Sequence, residues 1–155
     1  MGDLEVKVRP FRPVDAGQYM ELRRLLWPGC STEDHIKDIA TFLNRPEDNA
    51  VYVAADAKEN LYAFVEVGLR PYADGCKTSP VGYVEGWFVA STVRGQGMGR
   101  SLVEAAEGWA RRKGLKEMAS DTDVENEGGR KAHEALGYRR TQTIHCFSKD
   151  LSSPT

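Results

Sequence analysis

The sequence has too few cysteines to brace a fold and none spaced to hold a metal. Cys30, Cys76 and Cys146 are three in number and far apart, which gives neither a disulfide framework nor a zinc pattern. His35 and His145 form no constellation with each other or with a cysteine, so no metal site is expected. Long apolar runs are also missing. None approaches the roughly 20 residues that span a bilayer, and no membrane partner is expected. Positive charge is not in excess: 21 Lys and Arg stand against 23 Asp and Glu, a net charge of −2. A nucleic-acid partner, which favours a basic face, is therefore not expected either. The start, Met1-Gly2-Asp3-Leu4-Glu5, is acidic and lacks the apolar core of a secretory signal, and the expected location is cytoplasmic. With no repeat, linker or low-complexity stretch, the 155 residues are expected to form a single domain over 1–155.

What is present reads as strands and helices in alternation. Leu4 to Arg9 alternates apolar and charged residues, a half-buried strand. A helix follows from Val14 to about Leu26 with Tyr19, Leu22, Leu25 and Leu26 as its apolar face, and Trp27-Pro28-Gly29-Cys30 ends it. Ser31 is placed to cap a second helix with Glu33 and Asp34 in its first turn, and Ile36, Ile39, Ala40 and Leu43 form its expected stripe. Asn49 to Ala55 and Leu61 to Gly68 read as antiparallel strands. A polar loop to Pro80 precedes the central strand, Tyr83 to Val89. Beyond the glycine-rich stretch come a helix to Arg112, a short strand Leu115 to Ser120, a helix Asn126 to Leu136, a final strand Tyr138 to Lys149, and a frayed tail, Leu151 to Thr155. This order fits an α/β (α+β) mixed sheet with helices on both faces.

The most informative stretch is Val93-Arg94-Gly95-Gln96-Gly97-Met98-Gly99-Arg100-Ser101, between the central strand and an amphipathic helix. Glycines there remove side chains where a ligand must approach the backbone, and free N–H groups at a helix start suit phosphate. A nucleoside-triphosphate loop would need a Lys before Ser or Thr, and none is present. A dinucleotide fingerprint would use Asp121 or Asp123 as its acid, yet about 80 residues of other pattern come first. Arg-Gly-Gln-Gly-Met-Gly-Arg after a strand resembles the acetyl-CoA signature of the GCN5-related N-acetyltransferase (GNAT) superfamily, with Gln96, Gly97 and Gly99 in register.

Further blocks narrow that resemblance. Trp27-Pro28-Gly29, Tyr72-Ala73-Asp74-Gly75-Cys76, Val84-Glu85-Gly86-Trp87-Phe88-Val89, Glu117-Met118-Ala119-Ser120-Asp121-Thr122, Glu125-Asn126 and His133-Glu134-Ala135-Leu136-Gly137-Tyr138 are similar to aminoglycoside 6′-N-acetyltransferases. The resemblance implies a GNAT fold with a mostly antiparallel central sheet, acetyl-CoA as cosubstrate, an aminoglycoside as acceptor and a homodimer. Backbone groups at Gly95, Gln96, Gly97, Met98, Gly99 and Arg100 would hold the pyrophosphate, Trp87, Phe88 and Val89 would pair with the pantetheine amides, and the Val89 N–H would polarise the thioester carbonyl. Asn126 matches a coenzyme A contact.

For the amine, Glu85 is the first candidate, because it interrupts an apolar strand and a carboxylate buried without a partner is costly. It would bind the substrate ammonium and accept its proton. Asp121, at a strand end among Asp123, Glu125 and Glu127, is the second candidate, since carboxylates attract a polycation. Trp27 and Tyr72 would give flat walls and a hydroxyl for sugar rings. Gln142 stands where relatives place an acidic substrate contact, and its neutrality weakens that contact. His133 replaces the tyrosine that serves many superfamily members as a proton donor to the leaving thiolate, so no tyrosine acid carries over. Two other readings stay open: an acetyltransferase for a different cationic amine, and a non-catalytic acyl-CoA sensor.

Overall fold

The computed structural model describes residues 5–152. Leu4 of the first expected strand and residues 153–155 of the tail lie outside the described residues. Contacts divide the chain into two units, Met1–Asp121 and Thr122–Thr155.

The first unit is a five-stranded sheet in sequence order: β1 (Val6–Pro10), β2 (Asn49–Asp56), β3 (Leu61–Arg70), β4 (Val81–Val89) and β5 (Met118–Ser120). The first four strands pair antiparallel, and β5 joins β4 in parallel. One face is covered by α3 (Met98–Arg112), whose Leu102, Ala106, Trp109 and Ala110 pack on Ala54, Ala63, Val65, Val67 and Val84. The other is covered by α1 (Ala16–Leu26) and α2 (Thr32–Leu43), where Tyr19, Leu22, Leu26, Ile39 and Phe42 meet Val51, Val53, Phe64 and Phe88. Burial of such side chains, about 1.5–3 kcal/mol each, is the main force holding the layers together. No helix among the described residues is long and apolar enough to cross a membrane.

The local signals explain most boundaries. Ser31 caps α2, its hydroxyl accepting the Asp34 N–H at 3.1 Å, and Gly114 takes φ +78° just past α3. Two helix stripes differ from expectation. On α1, Leu25 is exposed and Arg23 buried. On α2, Ile36 and Leu43 are exposed, while His35 is buried and Ile39 and Phe42 pack inward. The cause is polar: Arg23 turns inward to meet a buried carboxylate of β3, and its Nε donates to His35 Nδ1 at 3.2 Å.

In the second unit, α4 (Glu127–Ala135) is capped by Asn126, whose side chain accepts the Gly129 N–H at 2.9 Å. The expected final strand, Tyr138 to Lys149, is not formed: residues 138–150 have no regular structure. Arg139 to Asp150 are exposed, Phe147 to 93%. Alternating side chains favour a strand, but a strand exists only with a ladder partner, and none pairs with this segment among the described residues.

Candidate active site

The glycine-rich turn sits where β4 leaves the sheet for α3. Gly95 and Gly97 have φ of +81° and +82°, values that L side chains rarely adopt, and a Cβ at either would meet nothing within 4 Å. The glycines here serve backbone conformation and leave open space above the turn. At Gly99 the reason is contact, because a Cβ would lie 3.1 Å from the Trp87 ring. The Ser101 N–H bonds Gly97 O at 3.0 Å as α3 begins, so the turn leads into the positive end of the helix. Arg94 Nε donates to Val89 O at 2.9 Å and ties the turn back to the strand. Open glycines, a helix N-terminus and a nearby arginine suit a pyrophosphate.

Beside the turn, β4 runs on past its parallel partner. Its pairing with β5 covers Gly82–Val84 only. On the other edge, the Ala90 N–H bonds Tyr62 O at 2.8 Å. By the two-residue alternation of a strand, this aims the Trp87 and Val89 N–H groups away from β3, along the edge that β5 leaves uncovered. An extended amide chain is the kind of ligand that completes such an edge.

Between these features lies a β-bulge. Glu66 pairs with Gly86 and Val67 with Val84, so Glu85 has no partner on β3. The extra residue resets the alternation. Val84, Trp87 and Val89 pack on the α3 side, whereas Gly86 and Phe88 face α1 and α2. Glu85 lines a cavity on that second side, of about 720 Å³, with Arg23, Trp27, Asp38, Phe42 and Glu66. That volume is in the range of small-molecule sites. Trp27 closes against Gly86, where a Cβ would lie 2.5 Å from its ring.

Two arginine–carboxylate pairs meet this cavity. Glu66 and Arg23, each 2% exposed, are bonded to one another; Tyr19 also donates to Glu66, and Arg23 stacks 4.6 Å from the Trp27 ring. Burial pushes the Glu66 carboxyl up against the opposing pull of Arg23 and Tyr19. Glu85 instead takes Arg70 Nε on Oε1 at 2.7 Å and Arg70 Nη2 on Oε2 at 2.6 Å. That bonding holds the guanidinium above its ordinary value. Arg70 lies 3.5 Å over the Tyr83 ring, and the Tyr83 hydroxyl donates to Asp121. Burial first, then the Asp121 hydrogen bond, raises the Tyr83 phenol, which stays protonated.

The structure thus brings Trp27 and Glu85 to one cavity and links Asp121 to Glu85 through Tyr83 and Arg70. Tyr72 is not among the residues lining the cavity: it is exposed on the loop after β3, its hydroxyl donating to Asp74 at 2.9 Å. Glu117 pins that loop by accepting from the Lys77 and Thr78 N–H groups, both at 2.7 Å. In the second unit Asn126 is the α4 cap described above, Gln142 is exposed, and His133 Nδ1 lies 2.6 Å from Gly129 O. Sequence reasoning missed Arg23, Glu66, Arg70 and Tyr83. Glu66 carried the same signal as Glu85, a carboxylate inside an apolar strand. Among the described residues no group of His, Cys, Asp and Glu could hold a metal ion.

Comparison with known proteins places these features in context. The model of the acetyltransferase (GNAT) family matches residues 18–138. An aminoglycoside N(6′)-acetyltransferase type 1 from Klebsiella aerogenes is 38% identical, over 93% of this chain and 96% of that protein. One from Stenotrophomonas maltophilia is 37% identical over 93% of each. Among solved structures, AAC(6′)-Iy in complex with the bisubstrate analog CoA-S-monomethyl-acetylneamine superposes with a TM-score of 0.87 at 32% identity, covering 94% of this chain and 99% of that one. AAC(6′)-Iy in complex with CoA superposes with a TM-score of 0.88 at 31% identity, covering 96% and 97%.

Proposed function

The chain belongs to the acetyltransferase (GNAT) family, and from that premise we propose that it is an aminoglycoside 6′-N-acetyltransferase that uses acetyl-CoA. The observation that carries the reading is the bulge at Glu85. Within five residues, β4 turns a carboxylate toward a cavity walled by Trp27 and returns Trp87 and Val89 to the side of the glycine turn. An amine site and a thioester site are thereby joined through one short piece of backbone.

Acetyl-CoA supplies the activated acyl group. The turn from Gly95 to Arg100 binds its pyrophosphate, and β4 from Trp87 to Val89, beyond the β5 pairing, takes its amide chain. The Val89 N–H polarises the thioester carbonyl, the electrostatic help that developing negative charge on oxygen requires. On the cavity side, Glu85 holds the ammonium and accepts its proton, directly or through water, since only the neutral amine attacks. Asp121 adds a second anionic contact, Trp27 a flat wall for a sugar ring, and Tyr72 a hydroxyl from its loop. Attack is direct, with both substrates bound together, and proximity supplies a large part of the rate. The acceptor's role as an antibiotic makes resistance the consequence of the reaction. The homodimer and the cytoplasmic location implied by the resemblance belong to the same proposal, the first read by sedimentation equilibrium and the second by cell fractionation.

The test is free-thiol release from acetyl-CoA with kanamycin A, which carries a 6′-amine, beside paromomycin, which carries a 6′-hydroxyl. Fast release with the first and little with the second is the expected result. Equal rates would move the acetylated nitrogen, and silence with both would overturn the reading.

A further inference from the structure

We propose that Arg70 sets a preference for polycationic acceptors: its guanidinium occupies the cation position at Glu85, and an ammonium engages that carboxylate only by displacing it. The inference rests on the reading above, in which Glu85 receives the amine. Both Glu85 oxygens already accept a hydrogen bond from Arg70, at 2.7 and 2.6 Å, in the forked geometry that makes arginine–carboxylate pairs strong. The same guanidinium lies 3.5 Å over Tyr83, whose hydroxyl is tied to Asp121. Arg70 is therefore held by a carboxylate on its edge and an aromatic ring on its face. Stacking of this kind favours a planar guanidinium over a compact ammonium.

The pair is nonetheless open to exchange. The Arg70 side chain is 41% exposed and that of Glu85 25%, so solvent reaches both partners and neither is locked by packing. A monoamine that displaces Arg70 exchanges one cation for another and loses the fork and the ring contact. A polycation brings further ammonium groups to the carboxylates that solvent still reaches, Asp38 on the cavity wall and Asp121 behind Tyr83. Those added contacts offset the displacement. Arg70 thus discriminates by the number of charges on the acceptor, without touching the acetyl donor.

The experiment measures kcat/KM for kanamycin A and for 6-amino-6-deoxy-D-glucose, a monoamine, with wild type, Arg70→Met and Arg70→Lys. Calorimetric Kd values for each amine are the second readout, and thermal melts confirm that each variant is folded. The expected result is a preference for kanamycin A in wild type that falls at least ~10-fold in Arg70→Met, through improved use of the monoamine, and by less in Arg70→Lys, which keeps the charge but not the fork. An unchanged ratio in both variants overturns the proposal, as does an equal loss on both amines, which makes Arg70 a prop for Glu85 alone. Wild-type protein that acetylates neither amine overturns the functional reading beneath it, whereas wild-type turnover with an unmoved ratio overturns this inference only.

Discussion

Glu66 and Glu85 stand on neighbouring strands, each interrupts an apolar run, and each is bound to an arginine. They differ in what surrounds the pair. Glu66 and Arg23 are 2% exposed and further tied to Tyr19 and Asp38, with His35 against Arg23. Glu85 and Arg70 are partly open, at a bulge where the ladder has no partner. Removing one partner of a buried pair leaves an uncompensated charge, whereas an exposed pair contributes little to stability. Chemistry of the same kind is therefore structural in one place and open to exchange with solvent in the other, and burial decides which.

The contrast is broken most directly at Arg23. Arg23→Met should cost about 3–5 kcal/mol and lower Tm by roughly 10 °C for a chain of this size, by thermal and urea melts. A loss below ~1 kcal/mol, the level expected for an exposed pair such as Arg70–Glu85, would erase the distinction. A third pair lies between the two extremes. Asp15 is buried and accepts Arg9 Nη1 and Nη2 at 2.8 and 2.9 Å and the Arg12 N–H at 2.8 Å. Asp15→Asn should cost about 1.5–3 kcal/mol at neutral pH.

The pH dependence of that cost has a definite sign. The Arg9 hydrogen bonds hold the Asp15 carboxyl below its usual range. Its contribution is complete above the unfolded value of about 4 and disappears as pH falls through the lower folded value. Urea midpoints of wild type and Asp15→Asn should converge as pH drops from 5 toward 2. A gap that stays constant over that range assigns the effect to packing.

At the open pair the readout changes from stability to turnover. Glu85→Gln should lower kcat/KM for the aminoglycoside at least ~10-fold, with KM for acetyl-CoA and Tm little changed. Steady-state rates equal to wild type would remove Glu85 from proton transfer. The smallest effect is expected at Asp121, which is bonded to Tyr83 and acts on Arg70 through that ring and by charge at longer range. Asp121→Asn should weaken aminoglycoside binding several-fold, in keeping with a partly exposed charge, and leave acetyl-CoA affinity alone. Titration calorimetry with each ligand separately checks both halves.

The glycine turn and Glu85 were legible because each breaks a local rule: clustered glycines where a helix should start, and a charge where a strand should be apolar. Glu66 breaks the same rule in β3, but its neighbours, Val65 and Val67, gave a pattern strong enough to read as a plain strand. Arg23 was hidden by the helix face it shares with Tyr19 and Leu22, since a charged residue on an apolar stripe is legible as buried only when its partner is known. The bulge itself left no composition signal, because its cause is a register between two strands distant in sequence. The segment 138–149 misled for the opposite reason: its alternation is visible in the chain, and the pairing that would make it a strand is not.

The bulge also partitions the routes by which this protein can diverge. On the proposed reading, residues before it, such as Tyr83 and Glu85, serve the acceptor, and Trp87 and Val89 after it, packed toward α3, serve the donor. Substitutions can therefore accumulate on one side of Gly86 and alter the spectrum of drugs accepted, while acetyl transfer is inherited intact on the other. Deleting Glu85 would leave Val84, Gly86 and Trp87 in plain alternation, with their faces unchanged and the carboxylate gone. Selection by new antibiotics is thus expected to act on β4 through replacements and to spare its length.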